Sequence, residues 1–599
     1  MISTRTTPLL SITLLLAVMI AHMPQLSAEA ISPRWQNATR SAMDNPHQLY
    51  TIAATYFGTE SHEEFVHATG LDDGSIIAIG NAWGPTFPHE DRTRIIGSGR
   101  FHPMSEYPDG NAMIADRRGR LVPAPLSYQY PNISGFIVRY GENLQSIDEL
   151  VRFDWGVANI RAAYVLPDGD IIIAGNATDA FASALGDAPV QRLPIPEPRR
   201  ANLDAISDPA KRAAAEERQE VEIRRRYGPI YWHDTPFSGD TYVARLSADL
   251  KTFQWAWILE GHREIETNRM WHIQGDGGWM VFGSNGIKRV RLDGSELDDD
   301  YGLGRIGRPG HGINFLGVDP RNGNFFRGGD VHTNTGREPW RQPRLIAYDN
   351  NNQAAYELYG WPAPLVGHNR SRLVSDTGAR QVAVDDDGWM WITLWSDGGN
   401  SVGTVNPVDL ERRPNRRNAL GLDIWGANVM SVSHIVRYHP DTYEMDMHAF
   451  WIGHLPRTGT PSSVSINAMW ALDDGSLAIT GGAATGLIQT ADAWKEFPEE
   501  IWNQARLNQP DAPNTGYGGP YVAMVDPHNG AIGFSSYAPG MNIQHLGRVS
   551  GTGMVVASWA VADDGRDPST PTITRRALQA EFAGGRRDGH LVLLLPKEE

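Results

Sequence analysis

One eleven-residue pattern returns along this chain and limits what it can fold into. Leu71–Asn81 reads LDDGSIIAIGN: the end of one strand, an Asp-Gly turn, a short apolar strand, then Gly-Asn. The arrangement recurs at Leu166–Asn176, Gly275–Asn285, Asp319–Asp330, Asp385–Asn400 and Leu472–Gly482, with a degenerate copy at Ser550–Ala560. Asp-Gly between apolar runs is a hairpin signal, because glycine accepts the positive φ that a type I′ turn requires. A hairpin repeated this often is an architectural period rather than a local accident.

A second module follows each hairpin. It reads GFIVRY at Gly135–Tyr140, TYVARL at Thr241–Leu246, IKRVRL at Ile287–Leu292 and RLIAYD at Arg344–Asp349. Later copies are SHIVRY (Ser433–Tyr438), PYVAMV (Pro520–Val525) and HLVLLL (His590–Leu595). A turn and an outer strand come next, so each unit carries four strands. Four-stranded units repeating around an axis define an all-β fold, the β-propeller, here with seven blades. The last unit ends at HLVLLL without a fourth strand, and an orphan strand, Leu49–Phe57, precedes the first unit. Completing the last blade with that N-terminal strand closes the ring and removes exposed sheet edges.

The spacing between modules is uneven. Extra residues fall near 83–132, 178–239, 398–432 and 486–519, between second and third strands. Strands alternate in direction, so these insertions all leave one end and are expected to cap that face, where binding residues would gather. One insertion holds a helix. Asp208 suits the N-cap, Pro209 the first position, and Ala213–Arg226 runs AAAEERQEVEIRRR, the profile of a solvated surface helix.

The first thirty residues read as a signal peptide. Arg5 is the positive n-region, Leu9–Ala21 the apolar run, and Ala28-Glu29-Ala30 an A-x-A site. Residues 31–48 are an irregular segment, and 49–599 form the single propeller domain. The expectation is a secreted or periplasmic monomer with no membrane span after cleavage. The chain has no cysteine, which excludes disulfides and thiolate chemistry. Its net charge of −17 argues against a nucleic-acid partner.

The paired modules resemble the bacterial SBBP-type β-propeller repeat. The matching residues are Tyr56-Phe57-Gly58, Asp73-Gly74, Ile79-Gly80 and Phe136–Tyr140 in the first unit. In the second they are Asp168-Gly169, Ala174-Gly175 and Tyr242–Leu246. The likeness covers most of residues 49–599, best in units one, two and six; the long insertions depart from the compact repeat. It implies an exported bacterial propeller and transfers no catalytic residue.

No metalloprotease, phosphate-loop or nucleophile-elbow motif is present in the sequence. Candidate ligand-binding residues are polar groups at strand ends on the insertion face: Asn81, Asn176, Asp330, Asp397 and Asn400, with His311 and His332 beside Asp330. First strands starting on that face add His62, Glu64, Arg269, Asp376 and Asn467. The bland reading is that Asn and Asp after Gly bond nearby backbone at strand ends. No cofactor is predicted. Acidic turns such as Asp385-Asp386-Asp387 and Asp319/Asn322/Asn324 offer oxygen ligands to calcium or another divalent metal, although turns of this kind recur for backbone reasons. There are 19 tryptophans. Those in or near insertions, Trp83, Trp340, Trp361, Trp395 and Trp425, suit a surface that grips protein or polysaccharide. A binding or scaffold module is therefore favoured. The alternative is a hydrolase or lyase, metal-assisted or glycan-directed, with His311, Asp330, His332 and Asp397 at an axial site. A quinone-dependent dehydrogenase fits less well, because the copies end in Gly-Asn rather than in a Trp-docking motif.

Overall fold

The structure is a computed structural model. It describes residues 48–596 apart from 99–112, 116–120, 124–132, 195–202, 228–239, 303–311, 425–430, 495–518, 562–571 and shorter gaps. The expected signal peptide and nearly all of the segment 31–48 lie outside the described residues.

The chain is all-β. Its described strands pair into four-stranded antiparallel units that follow one another in sequence. Unit 1 is His62–Gly70, Ile76–Trp83, Ile133–Tyr140 and Ile147–Phe153; unit 2 is Ala162–Val165, Ile171–Ala177, Asp240–Leu246 and Phe253–Leu259. Unit 3 is Ile265–Ile273, Trp279–Ser284, Ile287–Arg291 and Leu297–Gly302; unit 4 is Gly312–Val318, Phe325–Thr335, Glu338–Tyr348 and Ala354–Leu358. Unit 5 is Thr377–Val384, Met390–Asp397, Ser431–Tyr438 and Met445–Trp451; unit 6 is Ala468–Ala471, Leu477–Gly482, Pro520–Val525 and Ile532–Tyr537. Unit 7 has Met541–Val549, Gly553–Val561 and Arg587–Pro596, and its fourth strand is the N-terminal Leu49–Phe57. That strand pairs antiparallel from Leu49 against Pro596 to Phe57 against Gly589, as expected for the orphan strand. Apolar residues fill the spaces between successive units, so each sheet is buried on both faces.

The turns differ from the expected type I′. Leu71 N–H donates to Ser75 O at 2.8 Å and Gly74 N–H to Leu71 O at 3.0 Å. Only the glycine is left-handed, at φ +81°. This is a type I turn followed by a glycine bulge, a three-residue loop that keeps the strand twist. Asp73 accepts from the Ser75 N–H at 2.9 Å. The same Asp-to-backbone bond returns at Asp168 with Asp170 and at Asp474 with Ser476. The acidic turns therefore use their carboxylates on their own backbone.

The recurring Gly-Asn also has a structural account. Four of the first strands carry a β-bulge: the register shifts between Phe65 and His67, Phe315 and Gly317, Ala379 and Gln381, and Ile543 and His545. At the entry to three first strands a backbone carbonyl points straight at the glycine of the neighbouring second strand. A Cβ on Gly80, Gly175 or Gly481 would come within 3.0 Å of the oxygen of Glu64, Asn159 or Ser465, closer than real Cβ atoms approach. Asn81 then reaches to the next unit. Its Nδ2 donates to Ile160 O at 2.6 Å and its Oδ1 accepts from Ile160 N–H at 2.8 Å.

The insertions behave differently from a simple cap. Their described parts turn back along the outer strand of their own unit. Arg94–Ile96 pairs in parallel with Ile147–Phe153, Val190–Leu193 with Phe253–Leu259, and Arg416–Arg417 with Met445–Trp451. In unit 6, Thr490 and Ser535 exchange backbone and hydroxyl bonds. An outer strand offers a row of unpaired backbone groups, and these returns satisfy it. The expected helix is Pro209–Tyr227, with Asp208 Oδ1 accepting from Ala210 N–H at 2.9 Å.

Candidate functional site

First strands of successive units adjoin one another, and that of unit 7 adjoins that of unit 1. Residues from all seven first strands, or from the turns that follow them, line one cavity of about 180 Å³. Its walls run from mid-strand to the turn end, where Asp385, Asp386 and Arg548 stand. The cavity therefore opens away from the end where the insertions leave.

The bulges decide what faces this cavity, since an extra residue re-aims the side chains after it. His67 and His545 are the residues just past the bulge in units 1 and 7. Their rings lie 4.0 Å apart, centroid to centroid. His545 Nδ1 is 3.1 Å from Ala68 O. Burial lowers His67 to a pKa of about 3 and takes His545 well below its ordinary value, so both are neutral at neutral pH. Beside them, the Arg269 guanidinium lies over the Trp470 indole at 5.1 Å from the ring centroid and donates to Gln381 Oε1 at 3.2 Å. Burial lowers Arg269 to about 10, which leaves it cationic. It is deep within the molecule yet keeps part of its surface open to the cavity. Trp470 also meets His545 edge-on at 5.4 Å.

The expected site residues divide into groups. Asn81 and Asn176 are buried: the Asn81 side chain bonds the Ile160 backbone, and the Asn176 backbone N–H donates to the Asn159 side-chain Oδ1 at 2.7 Å. Asp330, Asp397 and Asn400 come together around Asp376. Asp397 N–H and Asn400 Nδ2 both donate to Asp376 O at 3.0 Å. Arg341 lies 3.5 Å from both the Asp330 and the Asp376 carboxylates. The guanidinium groups of Arg341 and Arg380 lie 5.3 and 5.2 Å from the Trp395 ring centroid. His332 is exposed, two residues past Asp330 and opposite Arg341 in the strand pairing. His311 lies outside the described residues. Of the suggested calcium ligands, Asp319 is bound by Arg321 at 3.0 Å. Among the described residues, no three His, Asp or Glu side chains gather as a metal site.

A buried string runs through unit 5. Ser396 Oγ is 2.7 Å from His434 Nε2, and His434 Nδ1 is 3.0 Å from His448 Nε2. These are nucleophile–base distances, but all three residues are fully buried. Shut away from substrate, the string ties the second, third and fourth strands together.

Sequence reasoning named Arg269 for the other end and missed His67 and His545. The available signal was a histidine in the middle of two first strands, three or four residues before the turn. No family model matches the chain, and no curated protein resembles it significantly. Among solved structures it is similar to the WD40 β-propeller domain of Doa1, at 9% identity and a TM-score of 0.35, covering 92% of this chain and 97% of that one. It is also similar to the parainfluenza virus 5 hemagglutinin-neuraminidase ectodomain, at 10% identity and a TM-score of 0.22, covering 72% and 93%. Both likenesses are too distant to define this chain's fold or function.

Proposed function

We propose that this chain is an exported seven-bladed β-propeller of the SBBP-like kind, closed by its N-terminal strand and acting as a monomeric binding or scaffold module. Its partner is a protein or a polysaccharide, recognised at the end where the insertions leave. The pairing of Leu49–Phe57 with Arg587–Pro596 supports ring closure. The observation that carries the binding reading is the Trp395 cluster. A part-exposed indole against two arginines, with part-exposed Asp376 beside it and Asp330 buried behind Arg341, offers an aromatic edge, fixed donors and a fixed acceptor on one surface. Surfaces of this composition carry binding energy out of proportion to their area.

The test is a glycan array and a panel of bacterial envelope proteins, probed with the full mature chain and with R380A/W395A. The expected result is retention of one ligand class by the native chain and a loss of about tenfold or more in the variant. Equal binding by both, or none by either, would contradict it.

A further inference from the structure

We infer that the axial cavity is a binding site for a small organic carboxylate, held by Arg269 beside His67 and His545 and packed against Trp470. The site lies away from the Trp395 cluster and does not depend on the reading given for that face.

Four observations meet here. First, the cavity is built from residues of every unit, so its shape is fixed by the whole fold and not by a mobile loop. Second, it holds a permanent cation at depth. Arg269 is positioned by a neutral amide, Gln381, and by the indole face, so its fork geometry is set before any ligand arrives. Planar guanidinium groups fixed in this way recognise carboxylates through two parallel bonds. Third, two imidazoles stand beside it. His67 is 6% exposed and His545 8% exposed, and His67 Nε2 has no hydrogen-bond partner among the described residues. A buried polar atom without a partner costs about 1–3 kcal/mol, a cost that a ligand or ordered water can remove. A neutral imidazole can supply an N–H donor to a carboxylate oxygen. Fourth, part of the remaining wall is apolar, with Val318, Val382 and Met469 among its residues, so an organic body is accommodated as well as the charge. The volume of about 180 Å³ lies below the roughly 300–1,000 Å³ of pockets for drug-sized ligands, which points to a small acid.

The carboxylates of the wall stand elsewhere. Asp385 accepts from Trp389 N–H at 2.8 Å, and Asp386 accepts from Gln274 at 3.0 Å. Asp386 acts on His272 and Tyr164 at the turn end. Arg269 and the histidine pair stand at the inner end, where an anion would be received.

The full chain is titrated calorimetrically with benzoate, acetate, inorganic phosphate and benzamide. Benzoate should bind one to one and more tightly than acetate, and benzamide, its uncharged counterpart, should bind at least tenfold more weakly. Arg269→Gln should weaken benzoate by about a hundredfold. Arg269→Lys, which keeps the charge and loses the fork, should fall between them. Benzoate and benzamide are compared on the native chain, so a variant that fails to fold leaves the test intact. Absence of benzoate binding, equal binding of benzamide, binding of phosphate alone, or benzoate affinity unchanged in a folded Arg269→Gln chain would each overturn the assignment.

Discussion

Gly80→Ala is expected to destabilise the chain by about 3–5 kcal/mol, a large effect for the addition of one methyl group. The new Cβ would meet two things at once, the Glu64 carbonyl oxygen and the Phe136 ring, both under 3.0 Å away. Glu64 lies in the first strand just before its bulge, and Phe136 sits in the core between the first and last units. Neither can withdraw without moving a strand. The result should appear as a lower denaturant midpoint with an unchanged slope. Gly186→Ala is the control. Unlike Gly80, Gly186 has a positive φ, at +65°, and nothing lies within 4 Å of its Cβ position. That substitution should cost only the left-handed backbone penalty of about 1–2 kcal/mol.

The second large effect is on acid stability. Burial lowers the pKa of several histidines, most strongly in five: His67 to about 3, His434 to about 3, His590 to about 4, and His448 and His545 well below the ordinary value. Above the unfolded pKa of about 6.5 these residues are neutral in both states and cost nothing. As pH falls below it, the unfolded chain takes up protons that the folded chain refuses. Each such histidine then removes about 1.4 kcal/mol per pH unit. Several acting together rival the whole stability of a typical domain. Buried carboxyls work in the opposite sense. Burial raises Glu63 to about 8, Glu64 to about 7, and Asp385 and Asp588 to about 6. Their contribution is complete below the ordinary carboxylate range and is lost as pH rises through these values. Between about pH 4.5 and 6 the four carboxyls offset most of the histidine loss, so stability should be greatest near pH 6–7, fall moderately on the acid side and decline as pH rises to about 8. Urea midpoints measured from pH 4.5 to pH 9 would show it; a midpoint unchanged between pH 7 and pH 5 would contradict it.

Much of the architecture was legible because its signals are local. Asp73-Gly74 and its repeats mark turns, and modules such as Phe136–Tyr140 mark third strands, whatever surrounds them. The closing strand Leu49–Phe57 was legible by elimination, as a strand without a unit. The bulges were not legible, because an extra residue in a strand such as HEEFVHATG leaves no compositional trace. Without them, Arg269 is assigned to the insertion face, and His67 and His545 pass as ordinary strand residues. The route of the insertions was hidden for a similar reason. Arg94–Ile96 and Val190–Leu193 are short, and only the presence of an open outer edge makes them strands. Asn81 shows the converse: the residue was noticed, and the structure puts it to work on Ile160 of the neighbouring unit.

Everything proposed at the axis depends on the two ends of the chain meeting in one sheet. The absence of native cysteine makes this directly measurable. Ala54 pairs with Val592 in the register of the last unit. A54C/V592C should form an intramolecular disulfide under mild oxidation, seen as a faster-migrating band that reduction reverses. A54C/L591C, displaced by one residue and so placed on the opposite sheet face, should not. Efficient crosslinking of the first pair and not the second is the predicted result. Failure of both, or crosslinking of the displaced pair alone, would contradict closure by the N-terminal strand.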